Sequence, residues 1–581
     1  MRLALCALLL LLSPALQGIA SAGEDETAES PTGLLRFRVV DAETAEPIPA
    51  RVTVIDDRGR SHIAPAAVPV AGECMEPAPE GWATAAEGGL PKASLFDPAT
   101  GARAFYVSGP VQMEVPRGRY RITATRGFEW EERSVPVEVF SAETGEVPIR
   151  MRRWIDMPAR GWVSSDGHLH ISRPSKDLDP LVATWMDAED LHVANLLQMG
   201  RHAQVLAARQ YAFGAAGRYR DGSVVLAPGQ ENPRTWLIGH GMVYGAPAYL
   251  DPGDRYLVYQ PVWRRAQAGG GLSGYAHWLP PGALIDAPTG LVDFLEVLQF
   301  DTPNYEMLYR LWGLGLVVTP IAGTDFPCIG DLPGADRFYT RVTPPFSWER
   351  WLEGVRRGRT FVTNGPLLEL EVEGAGIGDR VRLESPGTVR VAARARFDAT
   401  RDDVRVLELV QDGEVVGRAT RPSGLGRIEL SVEVPFRRSG WLALRSSGIK
   451  LDRRPHGDRP RESAAHTGAV VVRVAGTPPL GTGPAVRGLA RAAVEEMRAM
   501  RELFSDEDGK ALLQRPKWLR GVDLETFRES RPGLLAELDV ALAWYASRVR
   551  GAVPTDLAAF EGSPGFRRLS RTPGGASRRR P

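Results

Sequence analysis

Net charge is what this sequence most clearly lacks: 71 basic residues are balanced by 71 acidic ones in a chain of 581. The basic residues are almost all Arg and form no stripe on which a phosphate backbone could lie, so no nucleic-acid partner is expected. Cysteine is nearly absent, with three in the whole chain, one of them in the N-terminal apolar run. Cys74 and Cys328 are too few and too far apart for a disulfide framework, and are expected to be free or to form one pair. Beyond the N-terminus no segment offers the ~18–20 uninterrupted apolar residues of a membrane span, so none is expected. The Gly-x-Ser-x-Gly elbow of serine hydrolases is also missing, which removes that route to a nucleophile.

The N-terminus is more distinctive. Arg2 precedes the apolar run Leu3 to Leu12, and Ala20-Ser21-Ala22 supplies a small-x-small cleavage pattern. Together they describe a secretory signal peptide over residues 1–22 and a secreted or periplasmic location. The remaining length exceeds a single core and is expected to divide into three or four domains.

Residues 33–152 have β texture. Leu35, Phe37 and Val39 alternate with Arg36 and Arg38, and Val52 and Val54 repeat that period of two. The stretch Val40-Asp41-Ala42-Glu43-Thr44-Ala45-Glu46-Pro47-Ile48-Pro49-Ala50, with Val115-Pro116-Arg117-Gly118-Arg119-Tyr120 later, resembles carboxypeptidase regulatory-like β-sandwiches. From 155 to 365 short apolar runs (Val193–Leu197, Val224–Leu226, Leu316–Val318) alternate with stretches that can be helical, which points to a distorted βα barrel. Residues 366–475 return to alternation, in Leu368, Leu370 and Val372 and in Val389, Val391 and Ala393, with Asp412-Gly413 marking a hairpin turn; a second β-sandwich is expected. Residues 484–555 read as helical, with Leu489, Ala493, Met497, Met500 and Phe504 on one stripe. Leu534, Leu538, Leu542, Tyr545 and Val549 form another, with Ser530 as the expected N-cap. The Arg-, Gly- and Pro-rich tail, 566–581, is expected to be disordered.

The chemistry is concentrated in the central segment. In Ser165-Asp166-Gly167-His168-Leu169-His170 the period of a strand points both imidazoles to one side, and neutral imidazole suits Zn, Mn or Fe. Gly229-Gln230-Glu231 follows an apolar run and places a carboxylate at its end, where barrel sites are built. Gly239-His240-Gly241, Gly274-Tyr275-Ala276-His277 and Ala322-Gly323-Thr324-Asp325 follow in order. Four histidines and two carboxylates, His168, His170, Glu231, His240, His277 and Asp325, can hold two divalent ions, with Glu231 the natural bridge. Asp166 either orients one of the histidines or forms a turn. His202 reads as a surface loop residue without a ligand role, and Cys328 as a structural cysteine in preference to a soft ligand.

This order of motifs resembles the polymerase and histidinol phosphatase (PHP) metal-dependent phosphoesterases, and more closely their CehA/McbA-type metallohydrolase branch. The phrase Gly-Arg-Thr-Phe-Val-Thr-Asn-Gly-Pro of that branch stands unbroken at Gly358–Pro366, whereas Ser165-Asp166-Gly167-His168-Leu169-His170 departs slightly from its Ser-Gly-Asp-x-His-x-His. The resemblance implies a PHP-like metal domain. In it His168, His170 and Asp325 hold the first ion, Glu231 bridges, and His240 and His277 hold the second. A third ion of the broader family would need histidines where this chain has Gln198-Met199-Gly200 and Asp325-Phe326-Pro327.

The expected activity is therefore hydrolysis of an ester, carbamate or amide bond in a small-molecule substrate by a metal-activated water, with Glu231 and Asp325 as catalytic groups. A PHP-type phosphoesterase and a non-catalytic metal-binding surface protein are the alternatives. For the signal peptide, N-terminal sequencing of secreted or periplasmic material should find the mature chain beginning near Gly23; recovery of Met1 or Arg2 would contradict it.

Overall fold

The computed structural model describes residues 31–69, 95–96, 101–141, 145–201, 204–277, 280–328, 332–422, 424–452, 460–510, 514 and 522–551. The expected signal peptide, Cys74, His202 and the C-terminal tail lie outside the described residues. What is described is a β-rich, multi-domain chain with several helices.

The N-terminal strands form two facing sheets. Thr32–Asp41 lies between Val111–Pro116 and Val147–Met151, while Ala50–Asp56 sits within a second sheet with Arg103–Val107, Gly118–Thr125 and Arg133–Val139. Alternation is the reason these segments can share a core: Leu35, Phe37 and Val39 point inward against Val52, Val54, Phe105 and Ile122.

In the central region Val193–Arg201 lies parallel to both Trp162–Leu169 and Val224–Thr235. Val224–Thr235 then turns back antiparallel through Gly239–Tyr244 to Leu272–Ala276. Parallel pairing resumes through Phe294–Gln299 to Thr319–Ala322. The bridge Leu169↔Phe326, with His170 N–H donating to the Phe326 carbonyl at 2.7 Å, joins the last strand's exit to the first strand's end. The strand expected at Leu316–Val318 begins instead at Thr319. Val318 spends its carbonyl on the Trp312 indole (2.8 Å), and Val317 faces solvent. Likewise Glu231 is not at a strand end but inside the twelve-residue strand Val224–Thr235.

Residues 366–475 place Leu367–Val372, Gly387–Arg396 and Arg427–Phe436 in one sheet. The opposing strands are continuous with the central sheet, because Thr360–Thr363 pairs with Glu462–Thr467. Asp412 and Gly413 take φ of 51° and 96°, the positive pair of a type I′ hairpin turn.

Two long helices, Pro484–Ser505 and Leu524–Val549, close the described chain. The second starts earlier than Ser530: Asp523 caps it, accepting from Thr526 N–H at 2.8 Å. Ser530 is buried inside the helix and accepts from the Leu257 N–H at 3.1 Å, so a tertiary contact claims the hydroxyl expected to cap. Leu534, Leu538 and Tyr545 pack into the central core, where the Tyr545 hydroxyl donates to the Leu284 carbonyl at 2.8 Å. No helix among the described residues is long and apolar enough to cross a membrane.

Leu538 is fully buried, so Leu538→Ala should cost about 2–5 kcal/mol. Hydrogen exchange over residues 524–549 should accelerate in that variant; unchanged protection would show that the helix does not depend on the central core.

Candidate metal centre

All six residues expected to act together meet in one cluster. His168 is the penultimate residue of Trp162–Leu169 and His170 follows that strand; their Nε2 atoms stand 3.2 Å apart. Asp325 Oδ1 lies 3.1 Å from His170 Nε2 and 3.7 Å from His168 Nε2. Glu231 Oε2 lies 3.3 Å from His170 Nε2 and 4.0 Å from His168 Nε2. The other oxygen, Oε1, is 2.7 Å from His240 Nδ1 and 3.9 Å from His277 Nε2, and those two nitrogens are 3.0 Å apart. Glu231 thus belongs to two ligand-capable groups, one with His168 and His170, the other with His240 and His277.

The carboxylate of Glu231 is buried, yet neither oxygen has a well-aligned hydrogen bond from any described residue. The imidazole nitrogens approach it closely without the alignment of donors, an arrangement that could hold a metal ion. The far side of three rings is committed. His170 Nδ1 lies 2.8 Å from the Leu197 carbonyl, His277 Nδ1 2.7 Å from Gln299 Oε1, and His168 Nδ1 3.2 and 3.3 Å from the Glu296 oxygens. Acceptors there hold the proton on Nδ1 and leave Nε2 free to ligate, the usual arrangement behind metal-bound histidines.

Charge follows the same geometry. Burial pulls the His168 imidazolium down, but Glu296, Asp325 and Glu231 outweigh it and push its pKa up to about 10; His170 is raised by the same neighbours, Asp325 and Glu231. Burial instead wins at His240, pulled down to about 4 despite Glu231. Burial also opposes ionisation of Glu231, and Arg234, His240 and His170 overcome it, holding that carboxyl well below the usual range.

The backbone bends to aim these groups. His277 and Asp325 leave their strands with φ of 60° and 57°, left-handed values that L-residues adopt at a cost. Gly323 lies against the His-x-His strand: a Cβ there would stand 2.4 Å from His168 Cβ and 2.9 Å from Glu296 Oε1, so only glycine fits. Asp166 hydrogen-bonds to neither imidazole. It accepts from the N–H of His168 (2.9 Å), Thr324 (3.2 Å) and Gly334 (2.8 Å) and from the Thr324 hydroxyl (2.7 Å), stitching the His-x-His strand to the segment that bears Asp325. Burial still pushes its carboxyl up to about 6.

Two sequence readings are settled differently from the rest. The Cys328 sulfur lies with His170 and Asp325 but is disulfide-bonded, and a disulfide sulfur has no thiolate to offer a metal. At the two places where the wider family places third-ion ligands, Gln198 accepts from Gln210 N–H at 3.0 Å and Pro327 carries no side-chain donor atom. Glu296 was missed, although a lone carboxylate inside Phe294-Leu295-Glu296-Val297-Leu298 is a readable signal, since an unpaired acid is rarely buried in an apolar strand. Gln299, Arg234 and Trp236 were missed as well, and nothing local in the sequence distinguishes them.

No family model matches the chain, and no curated protein does. Among solved structures, BcpA, the major pilin subunit of Bacillus cereus, overlays with a TM-score of 0.21 at 6% identity, covering 76% of this chain and 69% of that one. A variant of BcpA gives a TM-score of 0.20 at 6% identity, covering 76% of this chain and 70% of its own. Overlap that low carries no structural argument.

Because His168 retains its proton up to about 10, a metal ion entering at neutral pH must displace at least that proton. Zinc uptake by metal-free protein should release protons, and affinity should fall as pH drops from 8 to 6. Calorimetry in two buffers of different ionisation enthalpy reads this directly; affinity independent of pH would contradict it.

Proposed function

We propose that this protein is an exported metal-dependent hydrolase of the CehA/McbA type, its central region a distorted, PHP-like βα barrel between two β-sandwiches. The observation that carries the reading is the buried Glu231 carboxylate, without a well-aligned hydrogen bond from any described residue on either oxygen and ringed by four imidazoles. His168, His170 and Asp325 would hold one divalent ion (Zn, Mn or Fe), His240 and His277 a second, with Glu231 shared. Ions held there would polarise a substrate carbonyl or phosphoryl oxygen and let water act as a nucleophile near neutral pH.

The chain's own groups supply the rest. Glu231 offsets the repulsion between two cations, which at close range and an effective dielectric near 20 amounts to several kcal/mol. Gln299, Glu296 and the Leu197 carbonyl fix three imidazole tautomers. Burial of His168, His170 and Glu231 keeps bulk water from one side, while the His277 side chain, 20% exposed, and Asp325, 11% exposed, mark the side open to substrate. The absence of family-type ligands around Gln198 and at Pro327 favours an ester, carbamate or amide over a phosphomonoester, whose oxygens a third ion would clamp.

Metal analysis of the purified mature protein should find close to two ions per chain. Nitrophenyl acetate should be cleaved faster than nitrophenyl phosphate; the reverse preference would identify a phosphoesterase, and metal without any hydrolysis a binding protein. Glu231→Gln should lose both ions and at least about 100-fold in rate, more than loss of an outer group costs. His277→Ala should lose mainly one ion and keep residual activity that excess metal partly restores. Two ions and normal turnover in Glu231→Gln would overturn the shared-ligand assignment.

A further inference from the structure

The hairpin that carries Glu231 and His240 also carries two side chains that the metal reading does not use. Its strands pair Glu231 with Met242 and then Arg234 with His240, so three residues advance on one strand against two on the other. In a regular ladder residues 231 and 234, three apart, would face opposite sides of the sheet. The one-residue bulge at Asn232-Pro233 reverses that alternation, and Arg234 Nε comes within 3.3 Å of Glu231 Oε2. The Nε is buried and hydrogen-bonded to no described residue. Trp236 opens the connection between the two strands and is 55% exposed, while Leu237 and Ile238 beside it are buried. Its ring centre lies 4.7 Å from that of His240 and 6.2 Å from that of His277, nearly parallel to the latter at 15°.

Glu231 is the ion-pair partner of Arg234, and it is also the carboxylate that two metal ions would share. Once its charge is engaged by cations, the guanidinium beside it is left half-buried, close to further positive charge, and in need of an anion. A guanidinium presents a fork matched to carboxylate or phosphoryl oxygens, and the exposed face of an indole matches a flat ring.

We propose that Arg234 and Trp236 form the recognition edge of the site, for a substrate in which a flat ring bears an anionic carboxylate or phosphoryl group. The ring lies on Trp236 and the anion pairs with Arg234. This rests on the hydrolase reading for the identity of the site, but the two residues are tested by binding alone.

The experiment is calorimetric titration of the zinc-treated full chain with benzoate, phenylphosphonate, benzamide and acetate, with zinc content measured on every sample. Wild type should bind at least one of the two aromatic anions more tightly than benzamide or acetate, and which of them is preferred separates the carboxylate from the phosphoryl source. Arg234→Gln should weaken the preferred anion about 10–100-fold and leave benzamide unchanged, whereas Arg234→Lys should keep most of the affinity. Trp236→Ala should weaken the aromatic ligands about 3–10-fold and leave acetate unchanged. Equal binding of both anions by wild type and Arg234→Gln at the same zinc content would overturn the proposal, as would a wild type that does not prefer an aromatic anion to benzamide. A wild type that holds no zinc would overturn the metal reading and this inference with it, because Glu231 would then stay paired with Arg234, whereas failure at full zinc content overturns this inference alone.

Discussion

A buried carboxylate has to be compensated, and much of the central region can be understood as compensation for Glu231. Removing a charge from water costs several kcal/mol unless partners repay it. Here the partners come from the ends of separate strands: His168 and His170 from the first, His240 from the hairpin return, His277 from the strand after it, with Arg234 alongside. None makes a well-aligned hydrogen bond to the carboxylate. Two overlapping groups in the cluster, both including Glu231, could hold a metal ion.

Such convergence demands local departures from regular strand geometry, and the surrounding fold is built to hold them. The bulge at Asn232-Pro233, the left-handed His277 and Asp325, and the close approach of Gly323 to His168 each conflict with an ideal sheet. Asp166 ties two of these segments through four hydrogen bonds from a fully buried position. Packing on the outside holds the scaffold: Trp263, Trp312 and Trp351 fill the central core, and the long C-terminal helix adds Leu534, Leu538 and Tyr545 to that same cluster. The helical tail is therefore part of the central region's core, although it lies some two hundred residues beyond the site in sequence.

Much of the fold was legible because strand period is a local property. The alternation at Leu35, Phe37 and Val39, the turn at Asp412-Gly413 and the two apolar helical stripes all appear where pattern placed them. The misplacements share a cause. Ser530 has the right chemistry for a cap, but Leu257 claims it; Leu316–Val318 has the right composition for a strand, but the Trp312 indole takes the Val318 carbonyl. In each case a contact distant in sequence, or a side chain on a preceding helix, outweighed local propensity.

The sequence by itself determined the types and order of the groups that meet at the centre, because metal-ligating chemistry belongs to His, Glu and Asp wherever they stand and a strand's period places His168 and His170 on one side. Tertiary structure alone decided that these groups share one carboxylate, that Glu296 and Gln299 back two of the rings, and that Cys328 is bonded to another sulfur. It also decided that Arg234 faces the same way as Glu231. The reason is physical: which side chains end up within a few ångströms depends on strand pairing, register and burial across distant segments, and a one-residue bulge, invisible in composition or period, is enough to turn a side chain from one face of a sheet to the other.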